Sequence, residues 1–255
     1  MFALAQLILR EALRNRMAWL ALLLVAGALS LSWFLSGVAL TEAAGLRAAA
    51  AGAVLRLGCV ALTVVFVTTS MTRDLSDKSL ELLLSLPLPR WQLLVGKLLG
   101  YAAVAAMIGA LATASALMLA PWQQSIVWGV TLTLELVVMA TFSVMCLLSL
   151  AQPTVALIAT IAFYVLARAM AAIQLMAHGP MLAATAEPGL VSTLMTGGTD
   201  LLALVLPRLD QFANASWLVY PVAGVAEVGT ALLQAVIYVA LLSTIALVDL
   251  YRRNF

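Results

Sequence analysis

Long apolar stretches separated by short polar breaks repeat along the chain. The first runs from Met17 to about Leu40 and carries no charge. Glu42 and Arg47 mark a break, and a second stretch runs from about Ala49 to Thr72 with Arg56 inside it. After the polar stretch Arg73 to Lys97, a third runs from about Leu98 to Ala120. The turn Pro121-Trp122-Gln123-Gln124 precedes a fourth, about Val127 to Leu150, which contains Glu135. Gln152-Pro153 precedes a fifth, about Thr154 to Ala177, which contains Arg168; the last runs from about Val228 to Val248 and ends at Tyr251-Arg252-Arg253. A helical membrane span needs ~20 mostly apolar residues. The pattern therefore predicts an all-α integral membrane protein with about six transmembrane helices, forming one transmembrane domain over residues 1–255.

Composition supports that solvent. Of 255 residues, 65% are hydrophobic and 9% charged, against about a quarter charged in a soluble domain. The net charge of +2 is too small to point to nucleic acid. Cys59 and Cys146 lie in apolar runs without metal-ligand spacing and read as buried thiols. A lone histidine, His178, cannot build a metal cluster. The apolar run after Arg10, Glu11, Arg14 and Arg16 is too long for a signal peptide's ~7–15-residue core, so it reads as a retained span. The alanine- and leucine-rich bias looks bacterial, which discounts the sequon Asn214-Ala215-Ser216.

The positive-inside rule orients the chain. With the N-terminus in the cytoplasm, that side holds Arg10, Arg14, Arg16, Arg73, Lys78, Arg90, Lys97, Arg252 and Arg253; the other holds Arg47 and Arg208. Both termini are then cytoplasmic, in a bacterial inner membrane. Residues 1–16 read as a cytoplasmic interfacial helix, 73–97 as a cytoplasmic loop and 178–227 as an extracytoplasmic segment. Breakers at Gly179-Pro180, Glu187-Pro188-Gly189, Gly197-Gly198 and Pro207 predict that the last of these is broken, with 190–206 interfacial or re-entrant. Trp33, Trp122 and Trp128 read as an interfacial aromatic belt. Gly96 and Gly100 permit close helix approach. Thr68, Thr69, Ser70 and Thr72 either line a pathway or bond back to their own helix.

Arg56, Glu135 and Arg168 lie inside apolar runs. At ~1.5 Å per residue from the cytoplasmic end of each span, all three fall at a depth of ~22–26 Å in a core ~30 Å thick. A charge at a span's centre costs ~2.5–3.5 kcal/mol on insertion scales. Pairing of Glu135 with Arg168, Arg56 or both is expected; its consequence is either fixed packing or a polar pathway lining.

The loop carries the most information. In Arg73-Asp74-Leu75-Ser76-Asp77-Lys78-Ser79-Leu80-Glu81-Leu82-Leu83-Leu84-Ser85-Leu86-Pro87, Asp74 and Lys78 stand i,i+4, and Leu75, Leu82 and Leu86 share a helical face. Pro87 and Pro89 stop the helix, and Trp91 and Lys97 suit an interfacial return to the membrane. The result is a short amphipathic helix that either rests on lipid or docks a cytoplasmic partner. Gly96-Lys97 is followed by Leu98, and Trp91 stands where the first glycine of a P-loop would be, so the chain has no P-loop.

These residues carry a resemblance. Arg73-Asp74, Ser79-Leu80-Glu81-Leu82-Leu83-Leu84-Ser85-Leu86-Pro87, Arg90 and Gly96-Lys97 resemble the cytoplasmic loop of ABC-2 type transporter permeases, with Pro87 one place later than in that family's core. Leu206-Pro207-Arg208-Leu209-Asp210-Gln211-Phe212 resembles the segment before the family's last span, and Arg252-Arg253 its basic end. The resemblance implies a type V exporter-like permease that dimerises, as homodimer or heterodimer, and binds two copies of an ABC ATP-binding subunit. That partner would hold ATP and Mg, leaving this chain without catalysis or cofactor of its own. Arg73, Asp74, Lys78, Leu80, Glu81, Leu82, Leu83, Leu84, Pro87 and Arg90 would form the ATPase-coupling site, with the Arg10–Arg16 segment also touching the ATPase. The outer segment would gate substrate exit or meet a periplasmic partner. A secondary transporter and a non-transporting membrane scaffold remain as alternatives. Membrane lipid is a partner in every case.

Overall fold

The computed structural model describes residues 2–38, 43–76, 89–150, 152–177, 197–199, 206–220 and 225–252. Among them are seven α-helices of 13 residues or more and no strand: α1 (Phe2–Arg14), α2 (Met17–Val38), α3 (Ala43–Ser76), α4 (Arg90–Ala116), α5 (Trp122–Ser149), α6 (Pro153–Ala177) and α7 (Val225–Arg252). All but α1 are long and apolar enough to cross a membrane, giving the six spans of a multi-pass membrane protein. Prolines start three of them. Pro89 and Pro121 directly precede α4 and α5, and Pro153 is the first residue of α6. A helix's first N–H groups lack intrahelical partners anyway, so proline costs nothing there.

Helix α5 is the axis of the bundle. Of its most apolar window 67% is buried, against 17% for α2 and 22% for α7. Trp128, Leu132, Leu136 and Met139 of α5 are fully enclosed, together with Leu55 and Val67 of α3 and Tyr101 and Ala105 of α4. The outer helices leave large apolar side chains uncovered, such as Trp19, Leu23 and Phe34 of α2 and Leu233 and Val236 of α7. That arrangement suits lipid as solvent, since acyl chains are as apolar as leucine.

Helix α1 is joined to α2 through Asn15 and Arg16; Arg16 has a positive φ of 50°. It packs against α4 through Ile8 and Ala5, which come so close to Gly100 that an added Cβ would stand 2.9 Å from Ile8 Cβ. Gly100 thus serves the close approach expected of it, with α1 as the partner. Cys59 and Cys146 are buried free thiols, as expected.

Two boundaries differ from the sequence-based expectation. The third span begins at Arg90, so Lys97 lies inside α4, 2% exposed, rather than on the polar loop. At the other end α3 continues through Ser76. The connection predicted over 73–97 therefore narrows to 77–89. The cause is a partner: Lys97 Nζ stands 2.6 Å from Asp74 Oδ2, so neither charge needs full hydration. Likewise Trp122, Gln123 and Gln124 belong to α5 and not to a turn.

Candidate functional site

Polar groups gather at two levels of the bundle. At the level away from α1, residues 206–220 enter between the helices as two short 3-10 turns, Leu209–Gln211 and Ala215–Leu218. Leu209, Phe212 and Ala213 are fully buried. Irregular backbone at membrane depth must find internal partners for its polar groups, and the spans supply them. Arg168 of α6 donates through Nη1 to the carbonyls of Leu209 and of Phe212, the latter at 2.9 Å. Arg56 of α3 donates through Nη1 to the Ala213 carbonyl at 3.1 Å. Trp128 Nε1 of α5 donates to the same oxygen, also at 3.1 Å. The Ala213 N–H in turn donates to Thr131 Oγ1 at 3.3 Å.

Ala213 holds a positive φ of 42°, a conformation that non-glycine residues adopt at a cost of ~1–2 kcal/mol. Three side-chain bonds from two helices, those of Arg56, Trp128 and Thr131, hold it there. Asn214 caps the second turn by accepting from the Ser216 N–H at 3.4 Å. Leu218 then settles against Gly52 of α3, where an added Cβ would meet Leu218 Cδ1 at 2.6 Å.

Glu135 of α5 lies at the same site, fully buried. Arg168 and Arg56 are within electrostatic range of its carboxylate, and Tyr164 of α6 faces it. No hydrogen bond of ordinary geometry reaches either carboxylate oxygen or the Tyr164 hydroxyl. The three intramembrane charges thus come together as the sequence suggested, but the arginines bond backbone carbonyls and not Glu135. The carboxylate offsets part of the charge of the two guanidiniums at a distance while they hold the broken segment in place.

The second level adjoins α1. Besides the Lys97–Asp74 pair, Ser70 Oγ of α3 donates to Glu11 Oε2 of α1 at 3.0 Å, and Arg73 Nη1 stands 4.0 Å from Glu11 Oε1. Arg90 donates to the Leu250 carbonyl at 3.0 Å and lies over the Tyr251 ring, while Ser149 donates to Asp249. The ends of α1, α3, α4, α5 and α7 are thereby braced together. Of the residues assigned to ATPase coupling, Arg73, Asp74 and Arg90 belong to this brace. Lys78, Leu80, Glu81, Leu82, Leu83, Leu84 and Pro87, with most of the amphipathic helix they were predicted to form, lie outside the described residues. So do His178 and, apart from residues 197–199 and Leu206, the 190–206 stretch.

Thr69 and Thr72 bond back to the Val65 and Thr68 carbonyls at 2.8 and 2.6 Å, which removes them as pathway donors; Ser70 instead reaches α1. Trp33 and Trp122 are exposed, and Arg47 lies over the Trp33 ring. Trp128 corrects the belt assignment: it is wholly buried and bonds the broken segment. Its role had a sequence signal. Trp128, Thr131 and Glu135 stand at i, i+3 and i+7, a polar stripe on one face of an otherwise apolar helix. Among the described residues, no three His, Cys, Asp or Glu side chains gather as metal ligands. No family model matches the chain, and no curated protein matches its sequence.

Proposed function

We propose that the chain is the membrane permease subunit of an ATP-driven exporter of the ABC-2 type, coupled to a separate ATP-binding subunit through the connection between α3 and α4. The observation that carries the reading is that connection's sequence, Ser79-Leu80-Glu81-Leu82-Leu83-Leu84-Ser85-Leu86-Pro87 between Arg73-Asp74 and Arg90. Its mounting suits the role. Both flanking helices are tied to each other by Lys97–Asp74, to α1 through Ser70–Glu11 and to α7 through Arg90. A push on such a loop would reach several helices at once, as a two-state switch biased by nucleotide requires. In this reading the braced end faces the cytoplasm of a bacterial inner membrane. The latched 206–220 segment sits toward the exit, and two such chains form the pathway.

The test is recovery of the tagged chain from mild detergent with mass spectrometry of its companions, beside a Glu81→Arg/Leu82→Glu variant. The expected result is an ABC ATPase in near one-to-one ratio with the wild type and its loss from the variant. Recovery of the chain alone, in detergent that preserves comparable complexes, overturns the reading. One observation favours a second reading, a secondary transporter: Glu135 is a buried carboxylate with no hydrogen-bonded partner, a feature of ion-coupled sites. Transport that follows an ion gradient and ignores ATP would select it.

A further inference from the structure

Two concavities meet at the corner between α1 and α2. One, about 660 Å³, is lined by Leu7 and by the polar side chains of Gln6, Arg10, Glu11, Arg14, Asn15 and Arg73. Three guanidiniums face one carboxylate there, and that carboxylate already accepts from Ser70. The other is an apolar trough of about 620 Å³ between α2 and α3, whose walls include Leu20, Leu24 and Gly27 on one side and Gly58, Ala61 and Leu62 on the other. Asn15 lines both. On α3, Thr69 lines the trough and Arg73, one turn on, lines the polar pocket. The two are thus continuous across the corner.

The trough's length identifies what fits. It extends from Met17 to Ala28 on α2 and from Val54 to Thr69 on α3. At ~1.5 Å per residue these are about 17 Å and about 22 Å, close to the ~15 Å acyl depth of one leaflet plus part of the interface. A helix of a second copy would cross the full thickness and gain nothing from a cationic pocket at one end. A phospholipid has the matching division, an anionic head for the arginines and acyl chains for the trough.

We infer that the corner of α1, α2 and α3 is a binding site for a phospholipid with an anionic headgroup, held by Arg10, Arg14 and Arg73, with its acyl chains in the α2–α3 trough. Its arginine pocket, at Arg73, lies toward the other end of α3 from the Arg56 that bonds the latched segment, and the site does not depend on the permease reading. Its occupant ties the interfacial helix to the first two spans.

Native mass spectrometry of the purified, delipidated full chain titrated with phosphatidylglycerol or phosphatidylcholine tests it. The expected result is retention of phosphatidylglycerol at about tenfold lower concentration than phosphatidylcholine, unaffected by millimolar inorganic phosphate. Arg10→Gln/Arg14→Gln should abolish that preference. Gly27→Leu should weaken both lipids alike; it lines the trough, and an added Cβ there meets nothing within 4 Å. Ala61→Leu, from the opposite wall, repeats the measurement if Gly27→Leu lowers the melting temperature. Equal retention of the two lipids, or displacement by phosphate, overturns the proposal. So does an altered oligomeric state in Gly27→Leu with lipid retention unchanged, which would assign the trough to a second copy.

Discussion

The two polar levels of this bundle use their most buried cations differently. Next to α1, Lys97 and Asp74 meet directly at 2.6 Å, with the Asp74 side chain still 30% exposed. At the other level, Arg56 and Arg168 bypass the buried Glu135 and bond carbonyls of residues 209–213. The difference follows from what else needs a partner. Near α1, Lys97 has a carboxylate of the neighbouring helix within reach, and the carbonyl of Leu250 at a helix end is met by Arg90 instead. The 206–220 segment brings unpaired carbonyls to membrane depth, where each unsatisfied group costs more than the geometry of an ideal ion pair would gain. Arginine suits that task, because a planar guanidinium presents several donors in fixed directions. A salt bridge predicted from three buried charges became a latch because an irregular segment shared their level.

The contrast can be broken experimentally. The largest effect is expected for Arg168→Met, which strands the Phe212 carbonyl and leaves that of Leu209 only the Phe212 N–H; it should cost about 3 kcal/mol, the upper end of ~1–3 kcal/mol per buried unsatisfied group. Thermal unfolding in nanodiscs, with proteolysis of the 206–220 segment as a local readout, measures it. Lys97→Met comes next, at about 2 kcal/mol, below the range for fully buried pairs because Asp74 retains some water. Adding Asp74→Asn to it should recover at least half of that loss, since the stranded charge is then gone; no recovery would mean the pair is not the source of the cost. Trp128→Phe removes one of two donors to the Ala213 carbonyl and should cost about 1 kcal/mol. The smallest change in stability is expected for Glu135→Gln, under about 1 kcal/mol, because no hydrogen bond to its carboxylate is lost. A loss above that of Lys97→Met would show that Glu135 holds the arginines electrostatically, and the contrast between the levels would dissolve.

Much of this architecture was legible in the chain because membrane solvent enforces simple rules. Apolar length located the six spans, and breakers located the irregular segment before α7. Arg56, Glu135 and Arg168 were expected to pair; the arginines lie within electrostatic range of Glu135 but bond carbonyls instead. What could not be read was their choice of partner, since a backbone carbonyl leaves no signature in sequence. Trp128 was misread for a related reason. Tryptophan near a span's end usually marks the interface, and only the Trp128–Thr131–Glu135 stripe argues otherwise. Lys97 was placed in a loop because a lysine ordinarily ends a span. Its burial depends on Asp74, 23 residues earlier on another helix, a pairing that no local pattern encodes.

The latch also has a history within each molecule's synthesis. Arg56 precedes its acceptor, Ala213, by 157 residues, and Arg168 precedes Leu209 by 41. At ~5–20 residues per second, Arg56 waits ~8–30 s in a newly inserted span before that carbonyl exists. During this interval α3, and for about its last 2–8 s α6 as well, carry guanidiniums without these acceptors. Nascent chains arrested before Leu206 emerges should therefore be degraded faster in the membrane than chains arrested after Ala213 is free. Equal turnover would place the latch outside the assembly route. The buried 206–220 segment, made after every span but α7, is thus the piece that completes the latch.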